Sequence, residues 1–70
     1  MNHIQISLAA ARKNANMTQD AAAKALGVTQ QTLLNWENGR SEPTVSQGRA
    51  ISKLYKMPLD MINFLPSKSN

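Results

Sequence analysis

MTQDAAAKALGVTQQTLLNWENG, residues 17–39, contains two short helical patterns joined by a turn of three residues. Thr18 and Thr29 each precede one pattern, and a threonine hydroxyl can accept a hydrogen bond from an unpaired amide of the first helical turn. Gly27 ends the first pattern, because glycine tolerates the left-handed conformation that commonly follows a helix. The stretch therefore predicts two helices at a tight corner, over about residues 18–26 and 29–38.

Small and apolar side chains predict how these two helices pack. Ala23 lies four residues before Gly27, and its small side chain allows the helices to cross closely. Val28 is expected to fill the corner between them. Leu33 and Trp36 are spaced i and i+3, so both face the core and leave the opposite helix face exposed. With the first helix included, the predicted core comprises Leu8, Ala23, Leu26, Gly27, Val28, Leu33 and Trp36.

Outside this stretch the chain also favours helix, because good helix formers dominate and alternating strand patterns are nearly absent. Apolar side chains recur at helical spacing from Ile4 to Ala15. Pro43 and Pro58 suit the first turn of a helix, where proline is tolerated. We predict a compact all-α domain over residues 1–65 and a polar tail over 66–70. Its five short helices are expected over about 4–15, 18–26, 29–38, 44–56 and 58–64.

Composition excludes several classes of site. The chain has 70 residues, which is near the lower limit for burying a core without help. It has no cysteine, so neither a disulfide framework nor a cysteine-ligated zinc site can form. His3 is the only histidine, which leaves no histidine-based metal cluster or catalytic dyad. The carboxylates are scattered along the chain. We therefore predict no metal, no cofactor and no enzymatic activity.

The net charge of +4 fits either an ordinary basic domain or one with an anionic partner, nucleic acid first. No apolar run approaches the roughly 18 residues that a membrane span needs. The N-terminus turns polar too soon for the apolar region of a signal peptide. We expect a soluble, cytoplasmic protein with no membrane partner.

The stretch over residues 17–39 resembles the helix-turn-helix of the phage repressor and Cro proteins, the XRE family. The resemblance implies a lambda-repressor-like domain of five helices, whose third helix is the recognition helix in the DNA major groove. It covers most of the chain, and it extends to Arg12, Pro43 and LYKMPLDMI at residues 54–62. Within the stretch it rests on Met17-Thr18-Gln19, Ala23, Leu26-Gly27-Val28-Thr29, Leu33, Trp36-Glu37 and Asn38-Gly39.

Carried over residue by residue, the resemblance implies three groups of functional side chains. A partly buried ion pair is expected between Arg12 and Glu37. Thr32 lies beside the base-reading positions and could contact a base, a thymine methyl or a phosphate. Lys13 is either a phosphate contact or a plain surface charge. The positions implied at base edges are Gln30, Gln31, Thr32 and Asn35, and those implied at phosphates are Gln19, Asn38 and Arg40, to which Lys13 is added as a candidate.

The chemistry of the amide side chains supports base contact independently of the resemblance. Gln31 and Asn35 are spaced i and i+4, so they share one helix face. Gln30 and Gln31 lie in the first turn, the part of a recognition helix that reaches deepest. An amide offers a donor and an acceptor side by side, which matches the N6 and N7 edge of adenine. The alternative is that these amides are only solvated surface side chains.

Three residues depart from the family pattern. Ala22 stands where leucine is usual, so the contact between the first and second helices is expected to be thinner. Gly48 stands where a large apolar residue is usual, and glycine within a helix costs about 1 kcal/mol relative to alanine. Leu34 lies on the recognition helix where a polar residue is more common. It could meet thymine methyls, pack on a neighbour or mark a partner surface.

Together these features predict a sequence-specific regulator of transcription, Cro-like or repressor-like, that binds double-stranded DNA. The family pattern implies a homodimer on a palindromic operator, formed either in solution or only on DNA. The alternative is a protein-interaction module, an anti-repressor or an antitoxin, that uses the same surface to bind a protein partner. Leu34 and the low charge of the third helix keep this alternative open.

Overall fold

The computed structural model describes residues 5–64 and contains four α-helices over that range. The all-α prediction is confirmed, with four α-helices instead of five. Predictions that concern His3, Ile4 and the polar tail over 66–70 lie outside the described residues. In chain order the elements are β1 Ile6–Ser7, α1 Leu8–Asn14, α2 Gln19–Leu26, α3 Gln30–Glu37, α4 Val45–Tyr55, a 3-10 turn Leu59–Met61 and β2 Ile62–Asn63.

Threonine side chains begin three of the helices. Thr18, Thr29 and Thr44 precede α2, α3 and α4, and each hydroxyl accepts from the backbone N–H three residues later, at 3.1, 3.0 and 3.2 Å. Gln47 completes the last cap, because its Oε1 accepts from the Thr44 N–H at 2.8 Å. Gly27 ends α2 with a φ of 74°. The caps predicted at Thr18, Thr29 and Gly27 are confirmed.

Helix α1 is shorter than the predicted helix over residues 4–15. Ser7 caps it, since its hydroxyl accepts from the Ala10 N–H at 3.0 Å. Ile6 and Ser7 instead pair in parallel with Ile62 and Asn63. The predicted start was wrong because the apolar repeat continues across a change from extended to helical backbone, and periodicity alone does not reveal such a change.

The predicted fifth α-helix over residues 58–64 is wrong. The Met61 N–H donates to the Pro58 carbonyl at 3.0 Å and closes a single 3-10 turn. Ile62 then becomes extended, with φ −108° and ψ 127°, and its side chain is only 2% exposed. A helix of so few residues is marginal, because forming the first turn costs more than one hydrogen bond returns. Burial of Ile62 and its pairing with β1 decide the conformation instead.

The core lies between α1, α2, α3, α4 and β2. Leu26 and Val28, both predicted core residues, are partly buried and pack against it. The prediction that Gly27 belongs to the core is wrong. Gly27 is exposed, and a Cβ there would meet nothing within 4 Å. Its positive φ is therefore the reason for glycine at this position. The buried apolar residues are Leu8, Ala11, Ala22, Ala23, Leu33, Trp36, Ile51, Tyr55 and Ile62.

Candidate nucleic-acid interface

The turn Gly27-Val28-Thr29 holds α3 against α2. The Val28 N–H donates to the Ala23 carbonyl at 3.0 Å, and the Val28 side chain packs against the core. On α3, Leu33 is completely buried and Trp36 is 5% exposed. Because these two side chains fix the inner face of α3, its opposite face is directed towards solvent.

Uncharged polar side chains occupy the outer face of α3. Gln30 and Gln31 are exposed, whereas Thr32 and Asn35 are half-buried. Gln31 Nε2 donates to Asn35 Oδ1 at 3.0 Å, so these i, i+4 neighbours form an amide pair. Thr32 Oγ1 accepts from Thr29 Oγ1 at 2.9 Å, which ties its side chain to the start of the helix. The structure therefore brings Gln31 and Asn35 into direct contact and keeps Thr32 beside the helix cap.

The predicted ion pair between Arg12 and Glu37 is present and buried. Arg12 Nε donates to Glu37 Oε2 at 2.7 Å, and Arg12 Nη2 donates to Glu37 Oε1 at 3.4 Å. The two side chains are 9% and 4% exposed. Arg12 Nη1 also donates to the Met17 carbonyl at 2.9 Å. Since buried charges persist only when they are paired and hydrogen-bonded, this pair fixes α1 to the end of α3.

Gln19 connects the buried ion pair to the outer face of α3. Its Nε2 donates to Glu37 Oε1 at 3.0 Å, and its Oε1 accepts from Gln30 Nε2 at 3.4 Å. A continuous series of hydrogen bonds thus runs from Arg12 through Glu37 and Gln19 to Gln30. The sequence predicted the Arg12–Glu37 pair, but it assigned Gln19 to a phosphate and Gln30 to a base, so the two contacts of Gln19 were not predicted. The spacing of residues along the chain gives no sign of the Gln19 contacts, because Gln19 lies on α2 and its partners Glu37 and Gln30 lie on α3.

The residues predicted at phosphates are more dispersed. Lys13 is exposed on the last turn of α1, and Asn38 is exposed at the C-terminal cap of α3. Arg40 is exposed two residues later, where its N–H donates to the Asn35 carbonyl at 2.9 Å. Gln19, the fourth, is half-buried at the start of α2. Within residues 5–64 neither Lys13 nor Arg40 forms an ion pair, so both cations face solvent.

Tyr55 lies close to the ion pair, which the sequence did not indicate. Its hydroxyl is buried and has no hydrogen-bond partner among the described residues. The pKa of Tyr55 is raised to about 12, chiefly by burial; the Glu37 carboxylate adds to the rise and the Arg12 guanidinium opposes it. The inward apolar pattern of the fourth helix contains this tyrosine, but that pattern does not reveal which charges it meets.

A second surface lies at the start of α4. Val45 is 73% exposed and Leu59 is 40% exposed, although both are large apolar residues. They border an apolar groove of about 240 Å³, whose other lining residues are Pro43, Thr44, Gly48 and Phe64. We call it the α4 groove.

The part of the chain that the structure describes contains neither a metal-binding cluster nor a membrane-spanning helix. No group of three or more histidine, cysteine, aspartate or glutamate side chains is placed to hold a metal ion. No helix there is sufficiently long and apolar to span a membrane.

Comparison with models of protein families gives a match over residues 8–62, to the family described as helix-turn-helix. The match includes α1 to α4 and reaches the first residue of β2. Comparisons with curated proteins and with solved structures give no match.

Proposed function

Because this chain belongs to the XRE-type helix-turn-helix family of DNA-binding regulators, we propose that it is a sequence-specific transcriptional regulator of the Cro or repressor kind. In this proposal α3 enters the major groove of double-stranded DNA. The observation that carries it is the outer face of α3, where Gln30, Gln31 and Asn35 present amides on a helix fixed by the buried Leu33 and Trp36.

Base recognition is assigned to the amides of α3. An amide that places its oxygen and one N–H against adenine accepts from N6 and donates to N7. The bond from Gln31 Nε2 to Asn35 Oδ1 uses one N–H of Gln31 and leaves its other N–H and its Oε1 available. Thr32 is proposed to contact a base, a thymine methyl or a neighbouring phosphate. Each good bidentate contact would supply about 1–3 kcal/mol of discrimination.

Phosphate contacts are assigned to side chains around the two ends of the motif. Asn38 and Arg40 follow α3 and would meet one backbone segment, while Lys13 is the candidate on α1. Gln19 can use the second hydrogen of its Nε2, since the first is donated to Glu37. The backbone N–H groups at the start of α2 would add to phosphate binding through the helix dipole. These contacts give affinity and orientation but no sequence preference.

A homodimer on a palindromic operator is the proposed binding form, with half-sites about one helical turn apart. The α4 groove supports this proposal, because an apolar surface with Val45 73% exposed and Leu59 40% exposed is stabilised when a second copy covers it. The dimer forms either in solution or only on DNA. Val45→Lys is expected to weaken binding to a full palindrome more than binding to a half-site. Ala50→Lys adds the same charge at another exposed position of α4 and serves as the control.

The experiment that tests specific binding is selection of duplexes from a random pool, followed by affinity measurements over a salt series. The proposal predicts a clear preference for selected over random duplexes at every salt concentration. Gln31→Ala should relax preference at one base pair, whereas Arg40→Ala should weaken all duplexes alike and lower the salt slope by about 1. Equal affinity for every sequence would exclude a sequence-specific regulator.

The second candidate is a protein-interaction module, an anti-repressor or an antitoxin. It is favoured by the composition of α3, which has no lysine or arginine and carries the half-buried Leu34. Among the described residues Leu34 is not one of the apolar side chains packed against the core. Binding to a protein partner through α3, with no duplex binding at low salt, would support this candidate. Leu34→Ser should then weaken the protein complex and leave folding unchanged.

A further inference from the structure

A series of hydrogen bonds runs from Arg12 through Glu37 and Gln19 to Gln30. The chemistry of Glu37 determines which group donates and which accepts at each later step. A carboxylate has acceptors and no donor, so a glutamine beside it must present its NH₂ group. Gln19 does so, with Nε2 at 3.0 Å from Glu37 Oε1. Because an amide is planar, its Oε1 then points to the other side, where it can only accept. Gln30 meets that oxygen with its own Nε2, at 3.4 Å.

From this direction we propose that Glu37 is a positioning residue for base recognition. Through Gln19 it determines which way round the Gln30 amide is presented to DNA. One N–H of Gln30 is held by Gln19, and the remaining N–H and Oε1 face outward in a fixed order. An amide with a fixed order of donor and acceptor distinguishes base edges that a freely rotating amide would accept alike. The inference rests on the proposed function, since it assigns Gln30 to a base.

The burial of the ion pair makes this orientation durable. The side chain of Glu37 is only 4% exposed, and Arg12 holds both of its oxygens. The carboxylate therefore cannot turn away from Gln19 without breaking the buried pair. Gln19 is itself half-buried between the pair and Gln30. Glu37 Oε1, the acceptor for Gln19, is thus held in place by buried groups and not by solvent-exposed side chains.

Gln31 provides the comparison within the same helix. Its Nε2 donates to Asn35 Oδ1 at 3.0 Å, and Asn35 is also an amide. If the Asn35 side chain rotates by half a turn, it offers a donor instead, and the Gln31 amide can reverse with it. Among residues 5–64, no carboxylate is hydrogen-bonded to this second pair. The amide order at Gln31 should therefore be independent of Glu37 and Gln19.

The test begins by assigning base pairs to side chains in the wild-type protein. Gln30→Ala and Gln31→Ala each identify one base pair at which preference is lost. Gln19→Met then removes the link but keeps the length of the side chain and the Arg12–Glu37 pair. Preference at the Gln30 base pair is expected to fall by about 2- to 12-fold, the equivalent of one net hydrogen bond. Preference at the Gln31 base pair should not change.

A second variant tests Glu37 itself. Arg12→Met combined with Glu37→Met removes both charges, so no unpaired buried charge is left, and such replacements are often tolerated. Gln19 remains but loses the acceptor that orients it. This variant should show the same fall at the Gln30 base pair as Gln19→Met. Thermal unfolding of each variant, followed by circular dichroism, confirms that the compared proteins are folded at the assay temperature.

The possible results separate the inference from the function on which it rests. If Gln19→Met weakens all duplexes alike and keeps the preference at both base pairs, Gln19 is only a phosphate contact and the inference is overturned. It is also overturned if Gln19→Met reduces the preference while the double replacement does not. If the wild-type protein has no sequence preference, the proposed function fails first. A selective fall at the Gln30 base pair in both variants supports the inference.

Discussion

The helix-turn-helix over residues 18–38 and the strand edge formed by β1 with residues 59–64 are organised by different kinds of interaction. In the helix-turn-helix, side chains set the boundaries locally, as when Thr29 accepts from the Thr32 N–H at 3.0 Å. At the edge, the partners are remote in sequence: Gln5 Nε2 donates to the Asp60 carbonyl at 3.0 Å across 55 positions. The proposed DNA-reading part is thus encoded locally, whereas the part that closes the domain depends on nearly the whole chain.

The buried ion pair joins the helix-turn-helix to Arg12 on α1 and is therefore an exception to this local organisation. Its loss should have the largest effect. Glu37→Ala leaves the Arg12 guanidinium, 9% exposed, without its partner. Removing one member of a buried pair typically costs about 3–5 kcal/mol. Chemical denaturation monitored by the fluorescence of Trp36, the single tryptophan, measures the loss.

The matched control for this prediction is an exposed ion pair in the same motif. Lys24 Nζ lies 3.3 Å from Asp20 Oδ2, with the two side chains 79% and 61% exposed. Lys24→Ala should change stability by less than about 1 kcal/mol, because solvent screens the pair. Comparable losses in the two variants would mean that the Arg12–Glu37 pair is not protected from water.

Truncation of the Ile62 side chain, at the strand edge, should have the next largest effect on stability. Ile62 is 2% exposed, and Ile62→Ala removes buried apolar volume at the point where β2 meets the core. Such a change costs about 2–5 kcal/mol. DNA affinity below the unfolding temperature should remain near that of the wild-type protein, since none of the residues proposed to contact DNA belongs to the edge. A large loss of affinity in a folded Ile62→Ala protein would contradict the separation of the two regions.

Sequence reasoning succeeded where the signals are local. The caps at Thr18, Thr29 and Gly27, and the inward direction of Leu33 and Trp36, follow from residue chemistry and helical spacing. The prediction was wrong where the conformation depends on contacts between segments that are distant in the sequence. No local pattern distinguishes a short fifth helix from a 3-10 turn whose next residue is buried beside β1.

The same limit applies to the candidate site. The sequence placed Gln30 among base contacts, Gln19 among phosphate contacts and Glu37 in an ion pair. The hydrogen bonds that join them depend on how α1, α2 and α3 pack against each other. The spacing of residues within one helix does not predict that packing. The influence of the ion pair on Tyr55 is also a tertiary feature, which the spacing of residues along the chain does not reveal.

Two glycines, one in the turn and one in α4, should respond to alanine with opposite signs. Gly27 has a φ of 74°, so Gly27→Ala places a side chain in the left-handed region and costs about 1–2 kcal/mol. Gly48 lies within α4, where a Cβ would meet Leu59 Cδ2 at 3.7 Å and Phe64 Cζ at 3.9 Å, both ordinary contacts. Gly48→Ala should therefore stabilise the protein by about 0.5–1 kcal/mol.

Thermal unfolding of the two variants, measured together with the wild-type protein, checks both signs. Destabilisation by Gly48→Ala would indicate that α4 tolerates no added atom beside the α4 groove. A neutral Gly27→Ala would indicate that the turn can adopt another backbone conformation.

Tyr55→Phe should have the smallest effect on stability at neutral pH and a different effect at alkaline pH. Its hydroxyl has no partner among the described residues, so Tyr55→Phe removes no hydrogen bond seen there and should be nearly neutral. The pKa of Tyr55 is raised from 10.0 to about 12 in the folded protein, chiefly by burial. The native state therefore favours the protonated phenol, and the associated stability is complete below pH 10 and is lost as the pH rises to about 12.

Denaturation of wild-type and Tyr55→Phe proteins across this pH range isolates the effect, because the lysines titrate in both. The wild-type protein should lose more stability than Tyr55→Phe as the pH rises. Since the chain has one tyrosine, the ultraviolet absorbance of tyrosinate reports its titration directly. A midpoint near the ordinary value of 10.0 would show that water reaches the phenol.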